Sequence, residues 1–367
     1  MKIGLLTSTR ADFGIYLPLI KELSNDSFFN LEIIAFGTHL SKEHGYTINE
    51  ITTQKIEIKH KIKTIPQGDT AKDISKSIAI TINKFSDFWD SNKFDLVIAL
   101  GDRYEMFAAV SAGSPFNISF AHLHAGETTL GAIDNAYRHS ISLMSEYLFV
   151  STEEYKKRAI EINKISENVF NVGALSIDNL KKTKLFSKEE FKDQFNIDLS
   201  NSTILSTFHP ETRALEKNEI YIHELLSAFD FLRDKYQIVI TMPNADTMGL
   251  MIRQKIEQFA REKENIIVIE SFGMKGYLTC MKYSKMMIGN TSSGFVEASF
   301  FPKWVINLGD RQKGRILTPN IVSIPIKKEN ILKTVESIEN KELPKNCNIY
   351  GDGNASKKII KILKNLK

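Results

Sequence analysis

Cysteine is scarce in this chain of 367 residues: Cys280 and Cys347 are its two thiols, far apart and outside any Cys-x-x-Cys spacing. That excludes a disulfide-built scaffold and a cysteine zinc site, and it points to a reducing, cytoplasmic home. No apolar run approaches the roughly 18 residues of a membrane span. The apolar stretch at residues 3–6 is too short for a signal-peptide core and reads as a first strand. Long blocks of one charge are also missing, since 48 basic and 44 acidic residues leave a net charge of +4. Such a balance carries no nucleic-acid footprint, and its mild positive sign suits a phosphorylated small substrate. Neither Gly-x-Gly-x-x-Gly after a first strand nor a Walker sequence occurs, which argues against a dinucleotide-dependent dehydrogenase and against ATP use. Internal repeats and low-complexity segments are absent as well.

What is present is alternation. Short apolar runs and amphipathic stretches succeed one another, the pattern of βα units around a parallel sheet, and the length suits two domains. In the first half, strands are read near residues 2–7, 31–36, 95–100, 118–121, 147–151 and 168–172, with helices near 13–24, 70–89, 103–112, 134–145 and 153–163. Asp69 or Thr70 caps the second of these helices, and Ile74, Ile78, Ile82, Phe85 and Trp89 recur along it at helical spacing and mark a core face. Between residues 180 and 201 the composition turns to Lys, Glu and Asp, and the domain junction is placed there. A second alternation follows, with strands at 203–207, 237–241, 266–269, 285–289, 304–307 and 321–325, helices at 218–233 and 247–262, another after Ser292, and a last one near 354–366. The expectation is an α/β protein of two Rossmann-like parallel-sheet domains, residues 1–178 and 179–354, with a cleft between their strand ends.

Ionisable residues gather where strands should end. Asp102 and Glu105 follow the run 95–100, and His122, His124, Glu127, Asp134, Arg138 and His139 follow the run 118–121. An open parallel sheet builds its site at the carboxyl edge of its strands. Plainer roles exist for several of these residues: Asp102 as a helix cap, Asp134 with Arg138 as an exposed i,i+4 pair worth a few tenths of a kcal/mol, and His209, held extended before Pro210, as a structural hydrogen bonder. Caps alone leave unexplained why Asp102, Glu127 and Asp134 converge from successive loops of one sheet edge. Arg10 follows the first strand, where a cation meets a phosphate beside helix amides, or else is a solvated loop residue. Gly289-Asn-Thr-Ser-Ser-Gly-Phe-Val-Glu297 is a hydroxyl-rich turn suited to a diphosphate through Thr291, Ser292, Ser293 and Gly294, with Glu297 one turn into the next helix, facing a ribose. Its plainer reading makes Thr291 or Ser292 an N-cap and Glu297 a dipole-favoured acid. Asp310-Arg-Gln-Lys-Gly-Arg315 brings Arg311, Lys313 or Arg315 to the same anion.

Taken together, Thr9-Arg-Ala-Asp-Phe-Gly14, Gly101-Asp-Arg-Tyr-Glu105, His124-Ala-Gly-Glu127 with Ile133-Asp134 and Arg138-His139, Phe208-His-Pro-Glu-Thr212, Gly289-Asn-Thr-Ser-Ser-Gly294 and Gly309-Asp-Arg-Gln-Lys-Gly-Arg315 resemble the hydrolysing UDP-N-acetylglucosamine 2-epimerases, in that family's order and over nearly the whole chain. The resemblance implies a GT-B architecture, two Rossmann-like domains with an interdomain active-site cleft, with the C-terminal helix, residues 355–367, packing back on the first domain. It implies a cytoplasmic homo-oligomer, dimer or tetramer, that takes a UDP-sugar and releases UDP in the making of sialic or legionaminic acid precursors, with no partner nucleic acid or membrane. The implied reaction is anti elimination of UDP to a glycal followed by hydration, which yields the free manno sugar from UDP-N-acetylglucosamine or UDP-N,N'-diacetylbacillosamine and needs neither a metal nor a redox cofactor. Asp102, Glu127 and Asp134 become the acid/base candidates, and His209 a contact to sugar or leaving group. Both His124 and Glu127 stand as candidates to face C2. Arg10, Thr291, Ser292, Ser293, Gly294 and Arg311 would bind the diphosphate, Glu297 the ribose and Phe272, in Glu270-Ser-Phe-Gly273, the uracil. A non-hydrolysing epimerase and a GT-B glycosyltransferase are the neighbouring activities, and a catalytically idle sugar-nucleotide sensor the non-enzymatic one. Between the two sugars, and between UDP and GDP, the sequence does not choose.

Overall fold

The computed structural model of the chain describes residues 1–42, 46–64, 68–243, 246–345 and 347–366. Lys367, the last residue of the expected C-terminal helix, lies outside them. Two compact units make up the chain: Met1–Glu127, Ile133–Lys181 and the segment from Tyr350 form unit 1, and Thr128–Ala132 with Lys182–Ile349 form unit 2.

Unit 1 is built on a seven-stranded sheet of β1 Lys2–Thr7, β2 Asn30–Ala35, β3 Ile58–Lys61, β4 Leu96–Leu100, β5 Phe120–Leu123, β6 Tyr147–Val150 and β7 Val169–Asn171. All neighbours pair in parallel, in the order β3-β2-β1-β4-β5-β6-β7. Crossover helices cover both faces, which is why β4 reads as an unbroken apolar run and every one of its residues is buried. Helix Ala71–Ser91 starts at a capping box between Thr70 and Asp73 and buries Ile74, Phe85 and Trp89, the last two in a core with Phe36, Met106 and Phe120. The C-terminal helix Ala355–Leu363 belongs to this unit. Asp178, fully buried, accepts hydrogen bonds from the Ala355 and Ser356 backbone N–H groups, both at 2.8 Å, and from Ser356 Oγ at 2.6 Å. A carboxylate thereby satisfies the orphan donors that every helix N-terminus exposes.

Unit 2 repeats the winding with six strands, β8 Thr203–Thr207, β9 Gln237–Thr241, β10 Ile266–Ile269, β11 Met286–Gly289, β12 Trp304–Leu308 and β13 Ile321–Ile324, in the order β10-β9-β8-β11-β12-β13. In both units the first strand lies inside the sheet and the winding reverses beside it, between β1 and β4 and between β8 and β11. Open α/β sheets bind ligands at such switch points, outside the carboxyl ends of the strands.

Several elements depart from the sequence reading. The edge strand β3 and helices Ile48–Thr53, Lys188–Phe195, Gly273–Tyr283 and Lys328–Ile338 were not expected. Helix Lys188–Phe195 occupies the stretch read as a junction: Ser187 and Glu190 form a capping box, and Phe191 is buried beneath the charged surface. β5 begins at Phe120 rather than near 118, so His122 lies inside the strand and does not follow it. The helix after Ser292 is broken into a 3-10 turn, Ser292–Gly294, and a separate short helix, Glu297–Phe300. No helix among the described residues is long and apolar enough to cross a membrane.

Candidate active site

At the carboxyl edge of unit 1, Gly101 takes φ +81, a left-handed turn that favours glycine and sets Asp102 at the end of β4. His122 holds this turn from within the sheet. Its ring is fully buried, with Nε2 2.7 Å from the Gly101 carbonyl and Nδ1 2.9 Å from Ser142 Oγ. A carbonyl only accepts, so Nε2 carries the proton. Burial pushes the ring's pKa down from 6.5 to about 3, which keeps it neutral.

Arg138, 2% exposed on helix Asp134–Leu143, is the cation around which the acids gather. Nη2 pairs with Asp102 Oδ2, while Nη1 donates to the His124 carbonyl at 3.0 Å and lies 3.7 Å from Glu127 Oε2. Glu127 sets Oε1 2.7 Å from His124 Nδ1 and accepts from Ser151 Oγ at 3.4 Å. His124 adopts φ +65, a left-handed conformation that costs a non-glycine residue about 1–2 kcal/mol. Its other ring nitrogen, Nε2, has no hydrogen-bond partner among the described residues. Chemically this is a carboxylate–imidazole dyad beside a second carboxylate, locked by one guanidinium. Asp134, half-buried, opens the helix four residues before Arg138 and so shares its face. Arg138 is buried, so the plainer reading of Asp134 and Arg138 as an exposed helix pair does not describe the structure.

Two neighbouring networks brace this edge. Arg103 grips the buried Glu105 carboxylate with Nε at 3.1 Å and Nη2 at 3.0 Å. Below Arg10, Asp12 accepts from the Ser8 N–H and Oγ, both at 2.9 Å, from the Thr9 N–H at 3.0 Å and from Thr7 Oγ1, with His39 Nε2 3.8 Å away. Burial raises its carboxyl pKa, but the nearby His39 and the hydrogen bonds from Thr7 and Ser8 outweigh it and leave the group below 3.8. The loop from Thr7 to Arg10 is thus fixed, and Arg10, the first residue of helix Arg10–Ser24, keeps a partly exposed side chain whose Nη1 lies 4.0 Å from Glu50 Oε1.

In unit 2 the keystone is Asn290, fully buried at the end of β11. Its Oδ1 accepts from the His209 N–H at 2.7 Å and its Nδ2 donates to the His209 carbonyl at 2.8 Å, which ties together the ends of β8 and β11. Its own carbonyl accepts from Gln312 Nε2 at 2.8 Å and Arg311 Nη1 at 3.3 Å, which brings in the turn after β12. Glu211 braces the same turn, with Oε1 accepting from the Asp310 N–H at 2.7 Å and the Arg311 N–H at 3.2 Å. Thr291 Oγ1 accepts from the Ser293 N–H at 3.4 Å, Ser292 is exposed, Ser293 is half-buried, and Gly294 is buried against Val305. Glu297 starts the short helix instead of lying one turn into a longer one. Such a helix has little macrodipole, so backbone N–H groups, hydroxyls and Arg311 must supply whatever holds an anion here.

The structure therefore brings Asp102, His124 and Glu127 into direct contact through Arg138, with Asp134 on the adjoining helix turn, and joins His209, Arg311 and the 290–294 turn through Asn290. Phe272, the residue before helix Gly273–Tyr283, is 7% exposed and packs against Phe191 and Phe195, with centroids 5.3 and 5.0 Å away. Of the basic candidates in the turn after β12, Lys313 is exposed beside Asp310, and Arg315 is buried with Nε donating to Gln312 Oε1 at 2.6 Å. The sequence reading assigned no role to Asn290, Asp246, His39 or the Arg138 hub. Their signal was position: each follows a strand or lies on the helix after one.

Two Rossmann-like parallel-sheet units, each winding outward from a first strand set inside its sheet, define an α/β protein of GT-B-like fold. The chain belongs to the UDP-N-acetylglucosamine 2-epimerase family, whose pattern it matches over residues 21–364. It is 37% identical to a GDP/UDP-N,N'-diacetylbacillosamine 2-epimerase (hydrolyzing) of Campylobacter jejuni, over 94% of this chain and 89% of that one. It is 32% identical to a UDP-N,N'-diacetylbacillosamine 2-epimerase (hydrolyzing) of Legionella pneumophila, over 100% and 96%, and 33% identical to the polysialic acid biosynthesis protein P7 of Escherichia coli, over 99% and 93%. Its fold matches a crystal structure of UDP-GlcNAc 2-epimerase from Neisseria meningitidis bound to UDP-GlcNAc, with a TM-score of 0.82 at 22% identity and the whole of both chains covered.

Proposed function

We propose that the chain is a hydrolysing nucleotide-sugar 2-epimerase that converts UDP-N,N'-diacetylbacillosamine, and by the same route UDP-N-acetylglucosamine, into UDP and the free 2-epimeric manno sugar. The observation that carries this reading is the Arg138 cluster, which sets Asp102 beside the Glu127–His124 dyad. Support for the hydrolytic outcome and for the first substrate comes from the names of the relatives from Campylobacter and Legionella.

The route needs a base for the C2 proton, an acid to return a proton from the opposite face, and cations for the departing diphosphate. Elimination breaks the C2–H bond and the bond from C1 to the UDP oxygen and leaves a C1–C2 double bond. Water then adds its oxygen to C1 while C2 regains a proton, so water is the one co-reactant and no electrons leave the sugar. In this assignment Asp102 and Asp134 are the carboxyl groups that exchange protons with the sugar. His124 presents Nε2 to C2, and Glu127, 2% exposed and already engaged by both oxygens, orients it. The diphosphate falls to Arg10, Arg311 and the Thr291–Gly294 turn, the ribose to Glu297, and His209 contacts the leaving group or the sugar. The free, buried Cys280 and Cys347 fit a reducing compartment.

Asp102→Asn tests the reading at its centre. The variant keeps the shape and a hydrogen bond to Arg138 but cannot exchange a proton, so UDP affinity measured by calorimetry should stay within a few-fold while turnover falls roughly 10²–10⁴-fold. Wild-type turnover in this variant would reject the assignment of Asp102.

A further inference from the structure

The loop that carries the acids does not stay in unit 1. It leaves after Glu127, runs through unit 2 as Thr128–Ala132 and returns at Ile133, the residue before Asp134. Inside unit 2, two closed turns meet. In the segment itself the Ala132 N–H donates to the Thr129 carbonyl at 3.0 Å, and in the turn after β12 the Lys313 N–H donates to the Asp310 carbonyl at 2.9 Å. The Leu130 N–H joins them by donating to the Lys313 carbonyl at 2.9 Å. Gly131 lies against the peptide between Asp310 and Arg311, so closely that a Cβ there would sit 2.3 Å from the Asp310 carbonyl oxygen and 2.7 Å from the Arg311 nitrogen. Its φ is outside the left-handed region, so proximity rather than conformation demands glycine. A Cβ on Gly314 would likewise come 2.7 Å from Thr128 Cγ2. Thr128, Thr129 and Ala132 are buried, as a docked segment requires and a solvated loop does not.

We infer that Thr128–Ala132 is a strap that passes the position of the Arg311 turn to the loop bearing Glu127 and Asp134, with Gly131 the positioning residue that lets the two turns meet. Thr128 is bonded directly to Glu127, and only Ala132 and Ile133 separate Gly131 from Asp134. Each peptide unit is rigid, so few soft dihedrals are left to absorb a displacement of the strap before it reaches the acids. The Arg311 turn is the firmer partner: Glu211 Oε1 holds its Asp310 and Arg311 N–H groups, and Asn290 accepts from Arg311 and Gln312. A side chain added at Gly131 therefore displaces the strap and leaves the turn in place. An anion drawn onto Arg311 acts on the acids through backbone, and Gly131 touches no substrate itself. The inference rests on the proposed function for that anion and for the roles of Glu127 and Asp134.

The test follows the Leu130 amide of the full-length protein by hydrogen exchange, with UDP as the probe. In the wild type, saturating UDP should slow its exchange several-fold, and Gly131→Ala should speed the exchange and abolish the response to UDP. In turnover assays Gly131→Ala should lower kcat at least about tenfold, while the UDP Kd from calorimetry stays within a few-fold and the melting temperature is unchanged. Leu130→Pro, which removes the N–H donor, should reproduce that loss, and Leu130→Ala, which keeps it, should lose far less. In protein that binds UDP, a Leu130 amide indifferent to the nucleotide overturns the inference. Wild-type kcat in both Gly131→Ala and Leu130→Pro overturns it as well, and so does a loss of UDP affinity as large as the loss of kcat. If the wild type releases no UDP from nucleotide sugars while its Leu130 amide still answers to UDP, the strap stands and it is the proposed function that fails. Absence of UDP binding rejects both.

Discussion

Arg138 faces two carboxylates with one guanidinium, and its planar fork is what allows it to meet Asp102, Glu127 and the His124 carbonyl at once. Lysine has the charge without the fork, so Arg138→Lys should keep the fold and lose most turnover. Arg138→Ala strands buried charge and should cost about 3–5 kcal/mol in urea unfolding. A fully active Arg138→Lys enzyme would show that charge alone suffices. Asn290 works without charge. Asn290→Ala leaves the His209 N–H and carbonyl without their partners, and at roughly 1–3 kcal/mol for each orphaned buried group the protein should lose at least about 2 kcal/mol, with weakened UDP binding. Stability within about 0.5 kcal/mol of wild type would mean that water or a relaxed backbone replaces both bonds.

At the scale of elements, close approach at the second switch point constrains one glycine sharply. A Cβ on Gly289 would sit 2.2 Å from the Thr207 carbonyl, so Gly289→Ala must push β11 away from β8 where the Asn290 bridge starts. Loss of UDP affinity together with a lowered melting temperature is expected, and calorimetry with UDP checks it. The same elements show what was legible beforehand. β4 was readable because a strand buried on both faces is apolar at every position. β3, Ile58-Lys-His-Lys61, is an edge strand with two exposed lysines and gives the sequence no comparable signal. Helix Lys188–Phe195 hid in a charged stretch, although its Ser187–Glu190 capping box was in plain view. The site candidates were found because strand ends announce themselves by where apolar runs stop. Which of them touch was not readable: the Asp102–Arg138 pair joins residues 36 apart, and the Asn290–His209 bridge joins residues 81 apart.

For the whole molecule, the buried neutral His122 predicts how the protein meets acid. Its folded pKa, about 3, lies below its ordinary 6.5, so the unfolded chain takes up the proton first and stability is lost as pH falls through that window. The loss approaches about 1.4 kcal/mol per pH unit from this group, and Asp12, held below 3.8, adds its own share at the acid end. Urea midpoints should therefore fall between about pH 6.5 and about pH 4, and less steeply in His122→Gln. A flat wild-type profile over that range would contradict the neutral, buried state of His122. The central claim is chemical, and the most direct measurement follows the hydrogen at C2. Incubated in deuterated water with UDP-N,N'-diacetylbacillosamine and, separately, UDP-N-acetylglucosamine, the enzyme should release UDP and a free sugar whose NMR spectrum shows the manno configuration and deuterium at C2. A released sugar that keeps its starting configuration or its original C2 hydrogen, or an epimer still joined to UDP, would contradict the account.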